Sequence, residues 1–385
     1  MSRWVVAGVV ALVVLGGAGW WLWGRPAAAP ETVVEVSASA CGHGWSPSPA
    51  GPQTLLLRNT GAVIAEAEVV DPATGAVFGE VEGLGAGATR ALDVTLDAGD
   101  YALRCLPDDA DAVTGPVVHL TGGTARRAPA VIPVTYADLI APAKAYHDAT
   151  TAGLDTLTAQ TDALATAVGT GNRDAARAAW LAAHLTYERL GAAYGAFGDA
   201  DSAINGTADG LPGGIADPGF TGFHRLEYGL WHDEPAAALT AVARQLDDAV
   251  HRLRESFPDT QIDQHDLGLR AHEIMENALQ SELTGHTDYG SGTGLATTLA
   301  NLDGTVAVLD VLRPLLSTRM PALSDVDAQI ARVRTVLHTG QRRDGSWVPV
   351  AQLTTAQRER VNGAVAELTE QLAPIAAITA PRRTS

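Results

Sequence analysis

A change of hydrophobic period near Pro133 constrains this chain more than any other feature. Before it, apolar residues come in short runs separated by turn residues; after it they recur every three or four positions. From Glu31 to about Thr124 the runs are Val33 to Val36, Leu55 to Leu57, Ala65 to Val70, Val77 to Val81, Leu92 to Leu96, Tyr101 to Cys105 and Val117 to Leu120. Asn59-Thr60-Gly61, Asp71-Pro72 and Ala98-Gly99-Asp100 punctuate them, so the spacing predicts seven strands and a β-sandwich. A Pro- and Ala-rich stretch around Arg126 and Arg127 reads as a linker.

Beyond Pro133 the pattern predicts a helical bundle with no strand signal. Thr135 with Asp138 forms a capping box, Val134 with Leu139 a hydrophobic staple, and Gly169-Thr170-Gly171 a stop. Asn172 then caps a helix carrying Trp180, His184, Tyr187, Glu188 and Tyr194. A loop from Asn205 to Pro218 precedes a short helix from Phe220 to Trp231, and further helical patterns cover 236–256, 263–283 and 295–316. Ser324 with Asp327 and Thr354 with Gln357 predict capping boxes for the last two helices. The expected organisation is an export segment 1–30, a β domain 31–124, a linker 125–134, an α domain 135–379 and a tail 380–385.

The export segment rests on Val5 to Trp23, an uncharged, mostly apolar stretch that spans about 28 Å as a helix, close to the hydrocarbon thickness of a bilayer. Arg3 before it and Arg25 after it suit either a cleaved signal peptide or a retained anchor, and Trp20, Trp21 and Trp23 favour the anchor by resembling an interfacial aromatic belt. Either way the remainder is expected outside the cytoplasm, anchored at the membrane in the second case. The chain holds 26 Lys and Arg against 44 Asp and Glu, a formal charge of −18. Nucleic acid is therefore excluded as a broad partner, since phosphate binding needs clustered cations, whereas metal cations and basic partners are suited.

Three pairs could carry metal chemistry. His224 and Glu227 stand three apart on the short helix, His184 and Glu188 four apart, and His272 and Glu276 four apart beside Glu273, so each pair shares a helix face. Each also has a structural reading, as a surface charge pair or a hydrogen-bonded core histidine. There is no His-Glu-x-x-His, no Gly-x-Ser-x-Gly, no phosphate loop and no dinucleotide fingerprint, so hydrolysis and phosphate chemistry lack their usual supports. Cys41 and Cys105 are the two cysteines; in an exported chain they read as a disulfide, and if reduced they could hold copper or iron together with a carboxylate. The three methionines lie outside the β region, so an ordinary blue-copper site with an axial methionine is not indicated.

The ordered motifs Trp180…Tyr187-Glu188-Arg189…Phe197-Gly198-Asp199-Ala200-Asp201, Gly222-Phe223-His224-Arg225-Leu226-Glu227, Ala271-His272-Glu273-Ile274-Met275-Glu276, Ser291-Gly292-Thr293-Gly294 and Leu312-Arg313-Pro314 resemble the imelysin, or peptidase M75, family. Within it the chain is most similar to the EfeO-like iron-uptake branch, whose cupredoxin-like β domain precedes the imelysin-like helices. The resemblance implies an extracytoplasmic iron-binding protein working with an iron permease and a haem peroxidase, non-enzymatic rather than hydrolytic. It implies His224 and Glu227 as the His-x-x-Glu metal motif, supported by Glu188 and Asp201, with iron as Fe2+ or Fe3+. In the β domain it implies a copper or iron site at Cys41, Glu66 and Cys105. A metallopeptidase and a metal-free surface-binding protein are the alternatives. The chain departs from the family pattern at Gly191, near Gly195 and at Asn205, where carboxylates are usual, and at His184, where the family tends to have arginine and where an imidazole could replace a lost ligand.

Overall fold

The computed structural model describes residues 31–123 and 130–384. The expected export segment, and most of the expected linker, lie outside the described residues. Two compact units result: the chain up to Pro133 together with the tail from Arg383, and Val134–Arg382.

The first unit is a two-sheet β-sandwich with eight strands among its described residues, one more than the apolar runs predict. They are β1 (Glu31–Val36), β2 (Gly51–Asn59), β3 (Ala65–Val70), β4 (Val77–Leu84), β5 (Thr89–Leu96), β6 (Gly99–Pro107), β7 (Val113–Thr114) and β8 (Val118–Leu120). One sheet runs β1-β2-β5 with β1 parallel to β2; the other runs β4-β3-β6-β7, with β8 also on β6. Strand alternation sends Val34, Leu55, Leu57, Val94 and Leu96 from one sheet, and Ala67, Val69, Leu103 and Cys105 from the other, into a single core. The extra strand, β7, is two residues long and half-exposed, too short to show a period in sequence.

Cys41 and Cys105 are joined there by a disulfide. A bridged sulfur carries no thiolate, so neither cysteine offers the ligand expected for the copper or iron site of Cys41, Glu66 and Cys105. Register removes Glu66 as well: Ala67 pairs with Cys105 and Glu66 with Leu106, so Glu66 points to the opposite face of the sheet from the disulfide. Its carboxylate gathers instead with Glu80 and Glu82.

The second unit contains ten α-helices among its described residues: α1 (Tyr136–Gly169), α2 (Arg173–Glu188), α3 (Tyr194–Phe197), α4 (Asp199–Asn205), α5 (Gly222–Trp231), α6 (Ala236–Ser256), α7 (Asp266–Asn277), α8 (Gly294–Leu316), α9 (Leu323–His338) and α10 (Thr355–Thr379). Both predicted capping boxes at Thr135/Asp138 and Thr354/Gln357 form, and Asn172 caps α2. The third box does not. α9 begins one residue before Ser324, with Ala322 at its N-cap, and both Asp327 oxygens are held at 3.0 Å by the guanidinium of Arg313. Tyr194 also leaves the α2 helix, because the chain turns through a 3-10 segment at Gly191–Ala193 first. α8 is apolar and long enough to span a membrane, but it lies in the core, with two-thirds of its most apolar stretch buried.

Candidate metal centre

Six α-helices, among them α3 through Tyr194, line a cavity of about 170 Å³ in the second unit. α2 delivers Glu188 at its last turn, α4 Asn205 at its last residue, α5 His224 near its start and α8 Asn301; a π-helical turn, Ala278–Glu282, continues α7 and delivers Glu282. Extra backbone turns of this kind re-aim side chains and recur at functional sites. Close approach of α4 and α5 depends on Gly222: its φ is +78°, and a Cβ there would lie 2.1 Å from the Ile204 carbonyl oxygen.

His224 and Glu227 are nearly fully buried, 3% and 1% exposed, but they do different things. His224 lines the cavity, whereas Glu227 lies behind it. Glu227 Oε2 is 3.4 Å from His224 Nδ1, and Oε1 accepts hydrogen bonds from the Tyr289 and Ser291 amides at 3.1 and 3.0 Å. The tautomer in which Nδ1–H donates to this carboxylate leaves the Nε2 lone pair free for a metal. Burial pushes the Glu227 carboxyl up, but His224 and Ser291 more than offset it and hold the group below the usual carboxylate value.

Glu188 is also on the cavity wall. Its Oε1 accepts from the Asn205 amide at 2.9 Å and stands 3.1 Å from His184 Nε2; its Oε2 accepts from Asn301 at 2.7 Å. Burial raises Glu188, yet His184, Asn301 and His224 together bring it below the usual value. For His184, burial acts to lower the pKa, and the neighbouring Glu188, with Glu227 and Glu282 further off, reverses that and holds it above the usual value. The His184 ring stacks on Trp180 at 4.8 Å between centroids and does not reach the cavity wall, so it stands as counter-ion to Glu188 rather than as the replacement ligand envisaged from sequence. Asp201 is likewise off the wall, its Oδ1 taken by the Tyr187 hydroxyl at 2.5 Å.

Sequence reasoning missed Glu282 and Asn301. Burial, and then the charge of Glu188, push Glu282 up to about 7, only partly offset by the Thr287 hydroxyl that donates to its Oε1 at 2.6 Å. A signal existed: Ile274, Asn277, Ala278, Ser281 and Glu282 follow the i, i+3, i+4, i+7, i+8 spacing of an inward stripe, yet three of the five are polar. His272 and Glu276, the pair that drew attention on that helix, lie elsewhere, with His272 Nδ1 on the Thr369 carbonyl at 3.0 Å.

The departures at Gly191 and Gly195 have a physical account. A Cβ at Gly191 would lie 3.2 Å from Ile274 Cγ1, and one at Gly195 would lie 3.0 Å from Arg270 Nη2, so neighbouring side chains occupy the space a longer residue would need. Asn205 compensates in part: its amide nitrogen is spent on Glu188, leaving a buried carbonyl oxygen with no hydrogen-bond partner on the cavity wall. An orphaned buried acceptor beside two carboxylates and an imidazole, with no Lys or Arg lining the cavity, is a donor set for a cation. Its donors are spaced wider than a closed coordination sphere. The described trios of His, Asp and Glu with ligand atoms within 4.8 Å of one another, Asp162/Asp247/His251 and Glu66/Glu80/Glu82, both lie outside it.

This geometry coincides with a family match. The imelysin model of peptidase M75 covers residues 142–375, which takes in every helix that lines the cavity. The chain belongs to the imelysin family. It is 28% identical over 347 residues to the iron uptake system component EfeO of Yersinia pseudotuberculosis serotype I, and 28% identical over 350 residues to the proteins of the same name from Escherichia coli K12 and Shigella flexneri. In each case the alignment covers 90% of both proteins, so it extends beyond the imelysin region into the β unit.

Proposed function

We propose that this imelysin-family protein is an iron-binding component of an iron-uptake system, and that the cavity behind the His-x-x-Glu motif takes the ion as cargo. One observation carries the reading: a single cavity brings the His224 imidazole, the Glu188 and Glu282 carboxylates and the Asn205 carbonyl oxygen onto one wall system without a basic side chain. Mixed nitrogen and oxygen donors suit a first-row ion such as Fe2+ or Fe3+. Glu227 orients His224, and His184 neutralises Glu188 until the ion arrives. The names of the EfeO relatives favour iron over other ions of this class.

In this reading the protein works outside the cytoplasm, held or exported by its N-terminal segment, with its acidic surface raising the local cation concentration. It passes iron to a membrane permease and works beside a haem peroxidase, as the family resemblance implies. The β unit, cupredoxin-like by the same resemblance, acts in its disulfide-bridged form without a sulfur-ligated copper or iron.

Anaerobic Fe2+ titration of wild type beside His224→Ala tests the proposal. Wild type is expected to bind one ion in the cavity and the variant to lose at least ~100-fold in affinity, the effect of deleting a direct ligand. Equal stoichiometry and affinity in the two proteins would remove the site.

A further inference from the structure

Glu227 is held by a loop that a second carboxylate folds. Along Asp288-Tyr289-Gly290-Ser291-Gly292 the amides are shared out alternately between two acceptors. Those of Tyr289 and Ser291 donate to Glu227 Oε1 at 3.1 and 3.0 Å, and those of Gly290 and Gly292 donate to Asp288 Oδ1 at 2.9 and 3.0 Å. Gly290 and Gly292 take φ of +130° and +68°, backbone that residues with a side chain rarely adopt. Asp288 thus bonds back to its own chain two and four residues on, closing the segment into a ring whose other two amides meet Glu227.

The same loop also touches the imidazole. The Tyr289 ring packs against His224 and Phe220, with centroids at 5.3 and 5.1 Å, and its hydroxyl accepts from the Ala208 amide at 2.8 Å. His224 is therefore placed from two sides by one segment, through Glu227 on Nδ1 and through Tyr289 on the ring. Glu227, 1% exposed, depends on those amides, because a buried carboxylate oxygen stripped of its donors is costly. Asp288 does not line the cavity, so whatever it contributes there passes through the loop.

Resting on the cargo reading above, we propose that Asp288 is a positioning residue of the metal centre: by holding the Gly290 and Gly292 amides it fixes the loop that secures Glu227 and, through Glu227 and Tyr289, the orientation of His224 toward the ion.

Two variants of the full chain separate this role from a general loss of structure. Asp288→Ala removes the acceptor of both glycine amides, whereas Asp288→Asn keeps an oxygen in its place. In anaerobic Fe2+ titration Asp288→Ala is expected to bind the same number of ions about tenfold more weakly, the low end of what groups supporting a ligand contribute, and Asp288→Asn to stay within about twofold of wild type. A second readout needs no metal. In 15N-histidine spectra of the metal-free protein, with the His224 signal assigned by its loss in His224→Ala, the neutral wild-type ring is expected to carry its proton on Nδ1, and Asp288→Ala to move a measurable share to Nε2. Asp288→Ala that leaves either readout at its wild-type value, or Asp288→Asn that binds as weakly as Asp288→Ala, overturns the positioning role and leaves the cavity reading intact. Wild type that binds no Fe2+ overturns the cavity reading, and the ring spectra still decide whether Asp288 orients His224.

Discussion

His224 Nδ1 faces Glu227 Oε2 at 3.4 Å, while the other Glu227 oxygen is saturated by two backbone amides, so the two residues of the motif are stacked one behind the other as seen from the cavity. The motif therefore supplies one ligand and its support. Glu227→Gln keeps a group that can accept from Nδ1–H but loses the charge, and it is expected to lower iron affinity about 10- to 100-fold with unchanged stoichiometry. Titration calorimetry checks this; loss of a whole binding equivalent would mean that Glu227 coordinates directly.

Glu282, pushed up to about 7, makes the cavity sensitive to pH near neutrality. Below that value a proton occupies the carboxylate and the ion must displace it, so affinity is expected to rise as pH increases from 6 to 8. Stability of the metal-free protein runs the other way. A carboxyl whose folded pKa lies above its unfolded value binds more protons when folded, so its contribution falls as pH rises from about 4.5 through 7. Glu282→Gln should flatten both dependences and raise the metal-free melting temperature at pH 8, measured by calorimetry.

His184 and Glu188 form a buried pair 3.1 Å apart, and removing one partner strands the other. His184→Gln is expected to cost about 3 kcal/mol at pH 6, with part of the loss recovered on adding iron, which supplies the missing positive charge. Because the His184 pKa is raised in the folded state, its contribution is complete below its unfolded value and disappears as pH climbs through the folded one. The gap between wild type and variant should therefore narrow in alkaline solution, as chemical denaturation at several pH values would reveal.

The Cys41–Cys105 bridge closes a loop 64 residues apart in sequence inside the β unit. On the chain-entropy account its removal costs about 4 kcal/mol, so Cys41→Ala/Cys105→Ala should lower the melting temperature of that unit and leave the bound iron count unchanged. A lost metal equivalent in the double variant would restore the sulfur-ligated site.

Much of this architecture was legible in the residues themselves. The change of period at Pro133 separates two units, and caps at Thr135, Asn172 and Thr354 mark real helix starts, because each rests on a local hydrogen bond between neighbours in sequence. Helical spacing likewise singled out His224 and Glu188, and both line the cavity. Long-range placement decided what was not: which face of β3 carries Glu66, that a π turn swings Glu282 inward, and that Ile274 and Arg270 occupy the room at Gly191 and Gly195. Local spacing cannot encode such contacts. Ser324 and Asp327 show the converse, a sound local pattern overridden by the Arg313 side chain from another helix.

Anomalous diffraction at the iron edge, from crystals grown with Fe2+, tests the central claim most directly. The account predicts one strong peak inside the cavity, within ligand distance of His224 Nε2 and of the Glu188 and Glu282 carboxylates, and absent in His224→Ala. Iron found only on the outer surface, with nothing behind the His-x-x-Glu motif, would contradict it.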